Sequence, residues 1–273
     1  RSPAAVAEVV VVEARAVRVA TVRQQGHGTH GAALQYFLAT PLPPLPPKPG
    51  GESASKRQKT ATPPLDAFGQ ASTSGDPDET RAMAAELAEK GITLIDAPVS
   101  GGPEGADAGT IAIMVGGPVE AFEKVKPVLE AISPNIDHCG DIGNGHVVKL
   151  VNNTIAACNR LAMYEAVAMG RKYGLSLQTM SDVINKSSGR SGATERALPA
   201  MLEGKQASNF AIGLMLKDVG LATKLGNNCG APMMLANIAR GLLQAGTYEL
   251  GESANLDDIT AQIEAWADVK LKG

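Results

Sequence analysis

The chain has 273 residues, 44% of them hydrophobic and 19% charged, with a formal net charge of −3 and a mean hydropathy near zero. That length can bury a substantial core in one large domain or two ordinary ones, and no apolar run approaches the roughly 20 residues of a membrane span. Three well-separated cysteines, Cys139, Cys158 and Cys229, with no CxxC spacing, argue against a disulfide scaffold and a zinc site and point to a reducing, cytoplasmic setting.

The charge is unevenly spread. Residues 1–71 carry eight Lys/Arg against four Asp/Glu and hold nine of the seventeen prolines, while the remainder is acidic. Two compositions in one chain imply two segments with different physics. Residues 5–22 are valine-rich and read as one or two strands. GHGTHG at 26–31 precedes a short apolar run that stops at Pro41, and PLPPLPPKPGG at 41–51 is a polyproline-type segment. The polar, basic stretch that follows, with KRQK at 56–59, reads as a solvated linker rather than a nucleic-acid patch.

From Ser72 the texture changes. Asp76 and Pro77 open a helix that Gly91 stops. ITLIDAPV at 92–99 reads as a buried strand, SGGPEGADAG as turn, TIAIMVGG at 110–117 as a second strand, 118–132 as an amphipathic helix and NIDHCG as a third strand. Alternating strands and helices indicate an α/β fold. After Gly145 the pattern is helical to the end. Residues 146–174 form a long helix whose apolar positions cover most of its circumference, which predicts burial nearly all round.

Three segments carry candidate chemistry. In IDAPVSGGPEGADAG the strand ends in Ser100, Gly101 and Gly102, where glycines let backbone N–H groups approach a ligand and a hydroxyl adds a donor. A tight turn has the same glycine requirement. In GDIGNGHVVKLVNN, Gly143 and Gly145 lead into the long helix, and Lys149 and Asn153 lie four apart on one face. A lysine facing inward from an apolar helix has a depressed pKa suited to proton transfer, whereas a surface lysine only snorkels. FAIGLMLKDVGLA reads as an amphipathic helix carrying the pair Lys217 and Asp218, which an exposed surface also accommodates; beside Lys149, Lys217 would lower its pKa and Asp218 would raise it, so the sign of a net shift is open.

Together these segments, with NKSSGRSG at 185–192 and STSGDPDETR at 72–81, resemble the β-hydroxyacid dehydrogenase family of the 3-hydroxyisobutyrate dehydrogenase kind over residues 72–273. The resemblance implies a partial Rossmann-type α/β domain at 72–141 and an all-α domain at 142–273 like the C-terminal domain of 6-phosphogluconate dehydrogenase, behind an atypical, poorly ordered 1–71. It implies NAD or NADP as cofactor, with Thr73 touching the dinucleotide and Lys217 beside the nicotinamide. Ser100, Gly101 and Gly102 would hold a substrate carboxylate, Lys149 would be the general acid/base, and Asn153, Phe210 and Asp218 would complete the pocket.

A small hydroxy acid is the implied partner, with a homodimer or tetramer as the assembly and no metal, membrane or nucleic acid. The family's glycine loop has only a literal echo in Gly26, Gly28 and Gly31, followed by too short a helix. The alternative reading is a non-catalytic remnant, or a misread chain, that lacks most of the cofactor site and keeps only the self-association of its helices.

Overall fold

The computed structural model describes residues 6–13 and 16–23 by their backbone and residues 74–271 in full. Thr73, the GHGTHG motif, the proline-rich segment and KRQK lie outside the described residues. The valine-rich front gives two antiparallel strands, β1 (Val6–Glu13) and β2 (Ala16–Arg23). Strand β1 also pairs antiparallel with β3 (Thr93–Asp96), Val9 lying opposite Asp96.

Helix α1 (Pro77–Ala88) starts as its sequence demands: Asp76 accepts from the backbone N–H of Asp78 and Glu79, and proline occupies the first turn. The run expected as one strand at 92–99 is two, β3 and the short β4 (Val99–Ser100). The break falls at Ala97 and Pro98, where the missing proline N–H ends the ladder, although the Pro98 carbonyl still accepts from Met114. The expected turn after Ser100 contains a six-residue helix, α2 (Gly102–Asp107). β5 (Ala112–Val115) pairs antiparallel with β4 and parallel with β6 (Ile136–His138). Helix α3 (Val119–Leu129) packs Ala121, Phe122, Val125 and Leu129 into the core under these strands.

From α4 (Asn144–Lys172) onward the described chain is helical: α5 (Leu177–Ile184), α6 (Gly192–Leu202), α7 (Ile212–Cys229), α8 (Met234–Leu250), a 3₁₀ turn (Leu256–Ile259) and α9 (Thr260–Ala267). One apolar cluster unites them around Tyr164, Leu198, Ile212, Leu243 and Ile259, all essentially inaccessible to solvent. Helix α4 is not buried all round, contrary to the pattern of its sequence. Val148, Val151, Ile155 and Met169 are exposed, because α6, α7, α8 and α9 cover one side only. No described helix is long and apolar enough to cross a membrane.

Two polar devices tie the parts together. Along one face of α7, Lys217 Nζ donates to the Ser74 carbonyl (2.8 Å), Lys224 Nζ pairs with the Asp76 carboxylate (2.6 Å), and Asn228 Nδ2 donates to Asp78 (3.3 Å). Burial alone would raise the Asp76 pKa, but the Lys224 bond and charge, with the α1 amides, outweigh it and hold it low. Deeper in the helical unit, the buried Asp257 carboxylate pairs with Arg160, accepts from the Tyr164 hydroxyl (2.7 Å), and accepts from the backbone N–H of Ala207 (2.6 Å) and Ser208 (3.1 Å). Burial, first, pushes the Tyr164 phenol well above its ordinary pKa, so it stays a donor.

Asp257→Ala leaves Arg160 as a buried cation without its carboxylate and strips two backbone donors of their acceptor. A loss of about 3–5 kcal/mol is expected, read from the urea unfolding midpoint; a loss below about 1 kcal/mol would show that water replaces the network.

Candidate active site

The site is built where α4 leaves the α/β unit. Gly143 adopts a left-handed conformation and gives α4 no side-chain cap of its own. The cap comes from β3: the fully buried Asp96 accepts from the Gly143 N–H (2.7 Å) and the His146 N–H (2.8 Å). One turn further along α4 lies Lys149, and one turn beyond that Asn153, 6% and 5% exposed respectively. Asn153 Nδ2 donates to the Asp218 carboxylate (2.5 Å), and its amide oxygen accepts from Asn152 (3.0 Å). Asp218, fully buried on α7, lies 3.2 Å from the ammonium of its neighbour Lys217.

Lys149, Asn153, Lys217 and Asp218 thus form one cluster across the α4–α7 interface. The sign left open by the sequence is resolved here. Burial, the largest cause, lowers the Lys149 pKa below the ordinary lysine value; Asp218 opposes and Lys217 adds to the lowering, and the net direction is down. A lysine lowered in this way gives up its proton more readily than a solvated one.

Ser100 ends β4, half-buried, and Gly101 and Gly102 follow, exposed, at the start of α2. Their φ angles of +139° and +66° are open to glycine and strained for other residues. This turn follows β4, and Asp96, the last residue of β3, lies four residues before Ser100. Phe210 is partly buried against the helical core just before α7. The 185–192 segment forms the turn between α5 and α6, where residues 187–190 are exposed and Arg190 pairs with Glu195 at 3.7 Å.

Two residues of the site went unnoticed in the sequence, Asp96 and His146. The signal for Asp96 was an acid inside an apolar strand run, since carboxylates are rarely buried without a task. His146 Nδ1 accepts the Gly75 N–H (3.1 Å), and burial, first, lowers its pKa, so the ring is neutral with its proton on Nε2. That Nε2 is buried and has no hydrogen-bond partner among the described residues. Among the described residues no group of three His, Cys, Asp or Glu converges as for a metal ion.

Residues 143–266 match the family model for the NAD-binding domain of NADP-dependent 3-hydroxyisobutyrate dehydrogenase, and residues 64–140 match that for the NAD-binding domain of 6-phosphogluconate dehydrogenase. The structure of 3-hydroxyisobutyrate dehydrogenase from Mycobacterium tuberculosis, solved with L-serine, superposes with a TM-score of 0.63 at 31% identity, over 70% of this chain and 67% of that one. The chain belongs to the β-hydroxyacid dehydrogenase family. Its two parts are a partial Rossmann-type NAD-binding domain and an all-helical domain of that family.

Among relatives in this family, 2-(hydroxymethyl)glutarate dehydrogenase of Eubacterium barkeri is 42% identical over 196 residues, covering 71% of this chain and 64% of its own length. The 3-hydroxyisobutyrate dehydrogenase of Pseudomonas aeruginosa is 39% identical over 188 residues, 66% of this chain and 63% of its own. The chain therefore spans somewhat less than two thirds of the length of these curated relatives.

Lys149 is costly to stability, because its folded-state pKa lies below the unfolded value. The unfolded chain holds the proton more tightly, so stability should rise with pH between the depressed folded pKa and about 10.4. Lys149→Met is expected to gain about 1 kcal/mol at neutral pH, with the gain shrinking across that window. Unfolding curves at pH 7 and pH 10 check it; a loss of stability at pH 7 would mean that the ammonium is well compensated.

Proposed function

We propose that this chain is an NAD(P)-dependent oxidoreductase that interconverts a 3-hydroxy acid of the 3-hydroxyisobutyrate type and its semialdehyde, with Lys149 as general acid/base. The observation that carries the reading is the buried lysine, lowered in pKa, inside a cluster with Asn153, Lys217 and Asp218. The family, and relatives named for 2-(hydroxymethyl)glutarate, 3-hydroxyisobutyrate and L-serine, support small hydroxy acids as the substrate class. Support for the cofactor comes from the two NAD-binding family models and from a structural neighbour solved with NADP+.

In the proposed reaction Ser100, with the backbone at Gly101 and Gly102, binds the substrate carboxylate. Asn153 orients the hydroxyl end, and Phe210 packs against the substrate's carbon skeleton. Lys149 Nζ accepts the hydroxyl proton while the C–H bond breaks as hydride, and the carbonyl forms; in reduction Lys149 returns the proton. NAD or NADP, when bound, supplies the hydride acceptor. Lys217 and Thr73 would hold it, and Asp218 keeps Asn153 and Lys217 in place. The division into 72–141 for the cofactor and 142–273 for substrate and assembly follows from the same reading.

Self-association is proposed through the helical part. Met234, Leu235 and Ile238 on α8, with Tyr248, are exposed apolar side chains that a second copy would cover. A second reading, a non-catalytic remnant retaining only this self-association, is favoured by the sequence itself, in which the family's glycine loop has only a literal echo at Gly26, Gly28 and Gly31. The three free cysteines fit a reducing compartment such as the cytoplasm.

Fluorescence titration with NADH and NADPH, followed by assay of 3-hydroxy acid oxidation, separates the two readings. Micromolar binding is expected, with turnover that rises with pH through a midpoint below the ordinary lysine value of about 10.4 and falls about 10²–10⁴-fold in Lys149→Ala. A folded protein that binds neither nucleotide supports the remnant. Light scattering is expected to give at least a dimer, and charges placed at Leu235 and Ile238 should produce monomer if α8 forms the contact.

A further inference from the structure

We propose that Asp96 is the positioning residue of this site, a single buried carboxylate that sets where Lys149 stands relative to the Ser100 turn. The inference rests on the functional reading above for the role of Lys149, and on geometry for the rest.

Asp96 is the last residue of β3, and Ser100, four residues later, ends β4 beyond the break at Ala97 and Pro98. Its two oxygens reach across to α4 and accept from Gly143 and His146 at 2.7 and 2.8 Å. Lys149 follows His146 by three residues, so the two share a helix face. A carboxylate that accepts two N–H groups at a helix start also faces the positive end of the helix dipole. The carboxylate-binding turn thus follows Asp96 along the chain, and the proton acceptor follows the Asp96 side-chain contacts along α4.

The surroundings are fitted to this carboxylate and to nothing larger. A methyl group at Gly116 would meet Asp96 Oδ1 and one at Gly145 would meet Oδ2, and each would also press on backbone. The backbone of Gly116 is itself paired with that of Asp96, N–H to carbonyl in both directions at 2.8 and 3.0 Å. A structural cap needs only an acceptor at a helix end. Here the cap is contributed from the other unit, is fully buried, and is flanked by two glycines that make room for it. Asp218 and Lys217 face Lys149 from α7, and His146 stands one turn ahead of it; Asp96 acts on it through the backbone of α4.

The test uses Asp96→Asn and Asp96→Ser in the full chain, with lysine side-chain nitrogen NMR as a readout independent of turnover. The Lys149 signal is assigned by Lys149→Arg. In the parent protein Lys149 is expected to titrate below about 10.4; in the variants the midpoint should move up toward that value as α4 shifts and water reaches the ammonium, while unfolding stays cooperative. In the assay kcat should fall about a hundred-fold with a much smaller change in KM.

Folded variants whose Lys149 titrates as in the parent would overturn the proposal. Should both variants fail to fold, amide exchange in the parent decides. Gly143 and His146 protected as well as the middle of α4 support the clamp, and exchange at the rate of a frayed helix end refutes it. A parent protein without turnover but with the expected shift in the variants would sink the dehydrogenase reading and leave the clamp standing.

Discussion

The contact on which this molecule most depends is the one between the Asp96 carboxylate and the first turn of α4. A 29-residue helix begins at a left-handed glycine with no cap in its own sequence. Its exposed N–H groups would otherwise be buried without partners against β5, a cost of about 1–3 kcal/mol each. Filling that need from β3 joins the α/β unit to the start of the helical unit. The contacts of α7 with Ser74, Asp76 and Asp78 add further joins. Helix α4, through His146, and α7, through Lys217, Lys224 and Asn228, both engage the chain at 74–78, which helps to place Lys149 and Asn153 close to Asp218.

The buried cluster shows how one environment supports opposite requirements. Lys149 is desolvated, which disfavours its charged form, while Asp218 beside it favours that form. The balance falls toward a lowered pKa because burial outweighs the attraction of Asp218, and the Lys217 charge adds to the lowering. The oxygens of Asp218 also engage Asn153 and Lys217.

Much of this was readable from residue order. The Asp-Pro start of α1, the strand around Ile95 and the long helix through Lys149 all follow from local chemistry, and their structural counterparts lie where the patterns put them. The break at Pro98 was also a local matter, obscured by a continuous apolar run that looks the same whether one strand or two. The exposure of Val148, Val151 and Ile155 could not be read, because an apolar side chain reports a tendency to be covered and not what covers it. The roles of Asp96 and Asp257 depended on partners 47 to 97 positions away. No periodicity carries information over such distances.

The Asp257 network also bears on the order in which this protein can be made. Arg160 and Tyr164 sit on α4, yet their common acceptor lies 97 and 93 residues later. While the chain is being synthesised, α4 through α8 emerge and can pair through their apolar faces before that acceptor exists. During that interval Arg160 has no carboxylate to meet it and the backbone at 207–208 has no fixed course. The Asp257 network therefore closes only after the segment that carries Asp257 has been made. Until then the nascent helical unit carries an open, charge-bearing interior, a state in which growing chains need chaperone protection.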